Sequence, residues 1–292
     1  MTIEEKPHIL VIDGMALLFR SFFATSAMGH YFPNAEGTPT NGVQGFARHT
    51  MTATSIFEPT HLAVCWDMSA HTFRNELFDG YKANRPEPAP ELVPQFDMTR
   101  SVSELIGWKN YGIQGMEADD LIGSMVTTWD GKADITIVTG DKDLLQLLRP
   151  GVRIAFMKKG YNVYDIYTYE RFVEEYGISP QQFVDVKAFT GDASDGYPGV
   201  KGIGPKTALK LIKEYGSVEG VIESIHELTP AMRKKIEEDM DMLQLSKKLA
   251  EIHCEIDVTD SIENLKIPSF DGEVRELMEQ QGYSMIVRQI RS

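Results

Sequence analysis

The sequence predicts an α/β fold, a mostly parallel central sheet flanked by helices, followed by a helical subdomain. Two patterns carry this expectation. His8–Asp13, His61–Asp67 and Ile135–Asp141 are short apolar runs rich in β-branched residues, as in parallel strands buried on both faces. From about Pro180 onward the pattern turns helical, with an amphipathic stretch over Met232–Ile252.

Each of the three strand runs closes on an aspartate: Asp13, Asp67 and Asp141. In open α/β sheets the working groups sit beyond the carboxyl ends of the strands, so these three should share one rim. Glu117, Asp119, Asp120, Asp143, Asp192 and Asp195 add further short acidic clusters. Carboxylates gathered at one sheet edge raise one another's pKa, and bound cations relieve that repulsion. Ligation by carboxylates alone favours Mg²⁺ or Mn²⁺. Seven scattered histidines with no HxxxH pair, and cysteines with no CxxC, argue against zinc. Glu117–Asp120 also precedes the helical pattern Leu121–Val126, where the helix dipole favours acids without any metal. Capping accounts for one or two acids there, but not for the three strand ends.

Residues 1 to about 188 are expected to form the α/β core, with an excursion over roughly 69–108, and 189–292 the helical subdomain. In the excursion Pro86, Pro88, Pro90 and Pro94 break regular structure ahead of a helical pattern from Phe96 to Ile106. Arg153–Phe156 and Val163–Thr168, around Lys158-Lys159-Gly160, read as a hairpin.

A net charge of −14 speaks against nucleic acid as a partner only if charge is evenly spread. From Gly196 to Lys213 there are four lysines (Lys201, Lys206, Lys210, Lys213) and no acid, and Arg74, Lys82 and Arg85 follow Asp67. The first group lies in Gly199–Lys213, a glycine hairpin running into a helix with Pro205 in its first turn and Gly216 past its end. Glycine removes side chains that would block phosphate, and the helix N-terminus adds partial positive charge. A Walker A loop shares this glycine spacing, but Pro205 separates Gly204 from Lys206 and no strand precedes it. A plain helix-turn-helix is the other reading; lysines at 206, 210 and 213 favour one that faces phosphate.

At 292 residues the chain can bury one or two cores, and no apolar run approaches membrane-spanning length. The acidic start, Met1–Pro7, leads straight into a strand and argues against a signal peptide. Cys65 and Cys254 lie far apart, which fits a reducing cytoplasm.

Six segments together resemble the bacterial and phage 5′ nucleases, relatives of the flap endonucleases and of the N-terminal domain of bacterial DNA polymerase I. They are Val11–Gly14 with Arg20; Trp66-Asp67 with Thr72–Arg74; Gly80–Pro86; Glu117–Asp120; Thr139–Asp143; and Gly191–Val200. The resemblance covers nearly the whole chain and implies a PIN-like core with an arch, through which single-stranded DNA passes, at the excursion. It implies that Asp13, Asp67, Glu117 and Asp119, with Asp120 close by, hold one ion, and that Asp141, Asp143, Asp192 and Asp195 serve the second. Lys82, Arg85 and Asp120 are the catalytic candidates. Arg20, Arg74, Tyr81, Lys201, Gly202, Gly204, Lys206, Thr207 and Lys210 are the expected DNA contacts. The glycine hairpin at 198–216 corresponds to the family's helix-hairpin-helix, which grips duplex DNA and in some members holds K⁺. Gly196-Tyr197 departs from the Asn-Ile of polymerase-linked relatives and bears on local loop packing.

The resemblance thus implies two ions, Mg²⁺ or Mn²⁺, and hydrolysis of DNA to 5′-phosphate and 3′-hydroxyl products, as 5′-3′ exonuclease and as flap endonuclease. The partner is DNA with a duplex and a 5′ single-stranded flap or end, or an RNA primer in a hybrid, acted on by a cytoplasmic monomer without membrane attachment. A chain ending at Ser292 has no room for a polymerase domain, so a free-standing nuclease is expected. A haloacid dehalogenase-type phosphatase needs an acid where Met15 stands, a PIN-type ribonuclease lacks the hairpin, and a non-catalytic binder would have lost some of the nine acids.

Overall fold

The apolar runs form the centre of a six-stranded sheet in the computed structural model, which describes residues 6–258, 261–269 and 272–290. The strands are β1 (His8–Asp13), β2 (His61–Asp67), β3 (Lys109–Ile113), β4 (Asp134–Thr139), β5 (Val152–Met157) and β6 (Tyr164–Tyr167), in spatial order β3-β2-β1-β4-β5-β6. Five are parallel, and β6 returns antiparallel to β5 as the expected hairpin. β4 stops at Thr139, so Asp141 lies just beyond its end. Alternation along β1 builds two cores: Ile9 and Val11 pack on one face, Leu10 and Ile12 on the other.

Helices fill the connections. α1 (Gly14–Ser26) and α2 (Asn41–Phe57) join β1 to β2; α3 (Phe73–Leu77) and α4 (Val93–Leu105) join β2 to β3; α5 (Ala118–Thr128) joins β3 to β4. Pro94 sits in the first turn of α4, where its missing N–H costs nothing. Gln95 pins α4 to α2, its Oε1 accepting from the backbone N–H groups of Gly42 and Val43 at 2.7 and 3.2 Å. These are donors that a helix start leaves without intrahelical partners.

After β6 come α6 (Tyr169–Tyr176), α7 (Phe183–Thr190), α8 (Pro205–Tyr215), α9 (Val218–Glu223), α10 (Pro230–Glu238), α11 (Met240–Ala250), α12 (Gly272–Gln280) and α13 (Ser284–Gln289). The amphipathic stretch 232–252 is two helices, broken at Asp239, whose carboxylate accepts from the Lys201 N–H of the hairpin at 2.7 Å. Lys247 of α11 ties α7 to α9 through Asp185 (2.8 Å) and Glu219 (2.7 Å).

The packing departs from the domain division expected at 188. That position falls inside α7, whose Val186 and Phe189 share one core with Ile9 and Val11. Met278 and Ile286, on α12 and α13, join the opposite core with Leu10 and Phe46, and the Met285 N–H donates to Gln44 of α2 at 2.9 Å. The last helices therefore belong to the α/β core and not to the helical subdomain.

Candidate active site

Sheet order reverses beside β1, which lies between β2 and β4, and the acids meet at this switch point. Asp13 caps α1: its Oδ1 accepts from the Ala16 N–H at 3.0 Å and its Oδ2 from the Thr139 hydroxyl at 2.7 Å. Asp67 accepts from the Ala118 N–H at 2.6 Å, capping α5 from across the rim. The Thr139 hydroxyl also accepts from the Asp141 N–H at 2.9 Å, so one threonine sets both neighbouring strand-end acids. Asp13, Asp67, Glu117, Asp119 and Asp141 line an open cleft of about 690 Å³ with Lys82 and Arg85.

The carboxylates strain against one another. Burial, then the charges of Asp67 and Asp141, push Asp13 up to about 6 against the hydrogen bonds from Ala16 and Thr139. Burial, then Asp141 and Asp13, holds Asp119 well above the usual carboxylate range. Burial also raises Asp67, with Glu117 adding to it. Asp143 rises to about 6 through burial and the charge of Asp141. Asp192 goes the other way: burial is outweighed by hydrogen bonds from Lys187 and Ser194, which bring it to about 2.

Basic side chains hold several of the acids. Lys82 Nζ lies 2.7 Å from Glu117, Arg85 2.7 Å from Asp195, and Lys187 2.7 Å from Asp143 while also donating to Asp192. Among the described residues no three acidic, histidine or cysteine side chains form a ready metal cage. The donor chemistry nonetheless fits a hard divalent ion: oxygen ligands alone, crowded and mutually repelling around one open cleft. The structure brings the first expected set together with Asp141 in that cleft. Asp143, Asp192 and Asp195 stand beside it, held by Lys187 and Arg85.

Three expected roles are corrected. Arg74 is only 2% exposed and binds Asp120, Leu249 and Glu251, so it cannot reach DNA. Asp120 is fully buried, accepts from the Glu117 N–H at 3.1 Å as well as from Arg74, and does not line the cleft. Tyr81 is 2% exposed, its hydroxyl 3.1 Å from both Glu117 and Asp195, which leaves no ring face for a base. All three position Glu117 instead. Sequence reading missed Lys187; its place on α7, five residues before Asp192, was the available signal. It also missed the bridging role of Thr139.

The turn over 80–85 is stitched to the acidic loop. The Lys82 N–H donates to the Asp195 carbonyl at 2.7 Å, and Asn84 donates to the Ala193 carbonyl at 3.1 Å. Lys82 itself has φ +55°, a left-handed backbone unusual for a side chain of this size. A Cβ on Gly196 would lie 2.6 Å from the Gly80 carbonyl, which explains glycine there, and Tyr197 packs buried beside Tyr81 and Leu249. The departure at 196–197 is thus absorbed locally. Gly191 and Gly199 close the loop's neck: a Cβ on Gly199 would come within 2.4 Å of the Gly191 nitrogen.

The hairpin forms as expected. Gly204 precedes α8, Pro205 occupies its first turn and Gly216 ends it. Lys201, Lys206, Lys210 and Lys213 are exposed, and among the described residues none makes an ion pair; Gly202 and Gly204 are exposed and Thr207 half-buried beside them. Arg20, half-buried, donates to the Gly160 carbonyl of the β5–β6 turn at 3.3 Å. Among the described residues no helix is long and apolar enough to cross a membrane.

An acidic rim at the switch point of a parallel sheet, backed by cationic side chains and a glycine hairpin, defines an α/β nuclease. Residues 8–177 match the family model described as 5′-3′ exonuclease, N-terminal resolvase-like domain, and residues 178–273 match its C-terminal SAM fold. A 5′-3′ exonuclease of Bacillus subtilis is 50% identical over 248 residues, covering 85% of this chain and 84% of that protein. The DNA polymerase I of Lactococcus lactis subsp. cremoris is 35% identical over 288 residues, 96% of this chain but only 33% of the polymerase. The fold resembles that of T5 5′-exonuclease with bound divalent (zinc) ions, with a TM-score of 0.69, 20% identity and 97% of both chains covered. It also resembles flap endonuclease-1 from Methanococcus jannaschii, with a TM-score of 0.61, 17% identity and 98% and 93% covered. The chain belongs to the 5′-3′ exonuclease family.

Proposed function

We propose that this nuclease hydrolyses DNA phosphodiester bonds at 5′ ends and 5′ flaps, using two Mg²⁺ or Mn²⁺ ions and leaving 5′-phosphate and 3′-hydroxyl termini. The observation that carries the reading is the convergence of Asp13, Asp67, Glu117, Asp119 and Asp141 on one open cleft. Asp13, Asp67, Glu117 and Asp119 would hold one ion, and Asp141 with Asp143, Asp192 and Asp195 the second. Bound there, the ions supply Lewis acidity and a water activated at neutral pH.

The chain's own groups do the rest. Lys82 and Arg85 line the cleft at the base of the arch, where their charge meets the negative charge that grows on phosphate. Burial lowers the Lys82 pKa, but Glu117 and Asp195 outweigh it, so the ammonium stays charged. The exposed lysines of the hairpin contact the phosphates of the duplex, setting register without reading sequence. The test is an end-labelled 5′-flap duplex incubated with Mg²⁺ and, separately, Mn²⁺. Products with 5′-phosphates cut at or near the flap junction are expected; no cleavage with either ion would overturn the reading.

A further inference from the structure

The two carboxylate sets differ in what neutralises them. Among the described residues Asp13, Asp67 and Asp119 of the first set make no ion pair and only Glu117 has basic partners, whereas in the second set only Asp141 is unpaired and Asp195 is held by Arg85. Across the cleft, Lys187 Nζ lies 2.7 Å from Asp143 and also bonds Asp192, joining the turn after β4 to the loop after α7. The lysine and both acids are mostly buried, with side chains 17% exposed. The backbone at Lys187 is anchored, because α7 runs directly into Gly191-Asp192 and is tied to α11 through Asp185 and Lys247, so only the side chain is left to move.

From this asymmetry, and resting on the metal reading above, we propose that Lys187 is a positioning residue. Its ammonium occupies the second carboxylate set, keeps Asp143 and Asp192 together, and competes with the second divalent ion for them. The first ion then meets three carboxylates, Asp13, Asp67 and Asp119, that carry no ammonium, with a cation only at Glu117, whereas the second must displace Lys187 from both Asp143 and Asp192. If the pair is free of Lys187 in only about a tenth of molecules, the apparent affinity of the second ion falls about tenfold.

The test is calorimetric titration of the DNA-free protein with Ca²⁺, comparing wild type with Lys187→Met, which keeps an unbranched stem without charge, and Lys187→Arg. Wild type should show two affinity classes, with the weaker tightened about tenfold in Lys187→Met and little changed in Lys187→Arg. A purely structural lysine would give the opposite sign, weaker binding on removal. In wild type, mass-spectrometric mapping of lysine acetylation should show Lys187 becoming several-fold more reactive when Ca²⁺ saturates. A weaker-class affinity in Lys187→Met at or below that of wild type overturns the proposal, as does acetylation of Lys187 that Ca²⁺ leaves unchanged. Should wild type bind no divalent ion at all, the metal reading fails with it, so the two failures are told apart.

Discussion

Arg74 and Asp120 form a bidentate pair inside the protein, with Nη1 and Nη2 each 2.8 Å from opposite carboxylate oxygens. The same Asp120 accepts from the His253 N–H at 2.9 Å, and Arg74 donates to the Leu249 and Glu251 carbonyls at 3.1 and 2.8 Å. The pair therefore joins α3, α5 and the chain leaving α11, and Arg74 reaches Glu117 at 3.3 Å. An acid and a base that look functional in the sequence hold the floor beneath the site.

Asp120→Asn should accordingly act on stability. Removing the charge of Asp120 takes away the guanidinium's bidentate partner and leaves only Glu117 at 3.3 Å, at a cost of up to about 3 to 5 kcal/mol. Urea unfolding should show that loss, while Ca²⁺ affinity of the folded variant stays near wild type. Intact stability with weakened Ca²⁺ binding would restore Asp120 to the metal site.

His49 should shape acid stability. Burial, then the charge of Arg20, lowers it from 6.5 to about 4, so the native state binds fewer protons than the unfolded chain between those values. Its contribution is present above pH 6.5 and is lost as pH falls toward 4, amounting to about 3 kcal/mol. His49→Phe, neutral throughout, should lose less stability over that window than wild type in paired denaturation curves. Equal losses would show that His49 titrates normally.

The three strand-end aspartates were legible because buried parallel strands leave an unbroken apolar run, and an acid closing such a run has only the rim to occupy. The hairpin was legible from Pro205, Gly204 and Gly216. The roles of Arg74, Asp120 and Tyr81 were not, because a charged or aromatic side chain next to a motif reads alike whether it faces the cleft or the floor; only contacts with residues 249–253 decide it. Nor was the docking of α13 on α2, since an amphipathic helix does not specify its partner face.

Lys206→Ala combined with Lys210→Ala should weaken duplex binding and flatten its salt dependence. Each lost phosphate contact takes roughly 0.9 from the slope of log K against log salt. Binding titrations across several salt concentrations measure this. An unchanged slope would make the exposed lysines a solvated face.

Lys82→Ala should cut single-turnover cleavage about a hundredfold, the scale for removing one preorganised charge from a developing anion. Alanine faces the same left-handed backbone as lysine at φ +55°, so the substitution isolates the ammonium. Lys82→Arg should rescue only in part, because a planar fork places charge differently. A rate near wild type would remove Lys82 from catalysis.

The most direct measurement of the central claim pairs binding with cleavage in Asp141→Asn. Asp141 lies in the cleft beside Asp13 and Asp119, and its amide hydrogen-bonds to Thr139 through the backbone, which the substitution leaves in place. Flap-duplex affinity in Ca²⁺ should stay near wild type, while single-turnover cleavage in Mg²⁺ falls by about a hundredfold or more. Cleavage near the wild-type rate would contradict the account, because the acidic rim would then not be the catalytic metal centre.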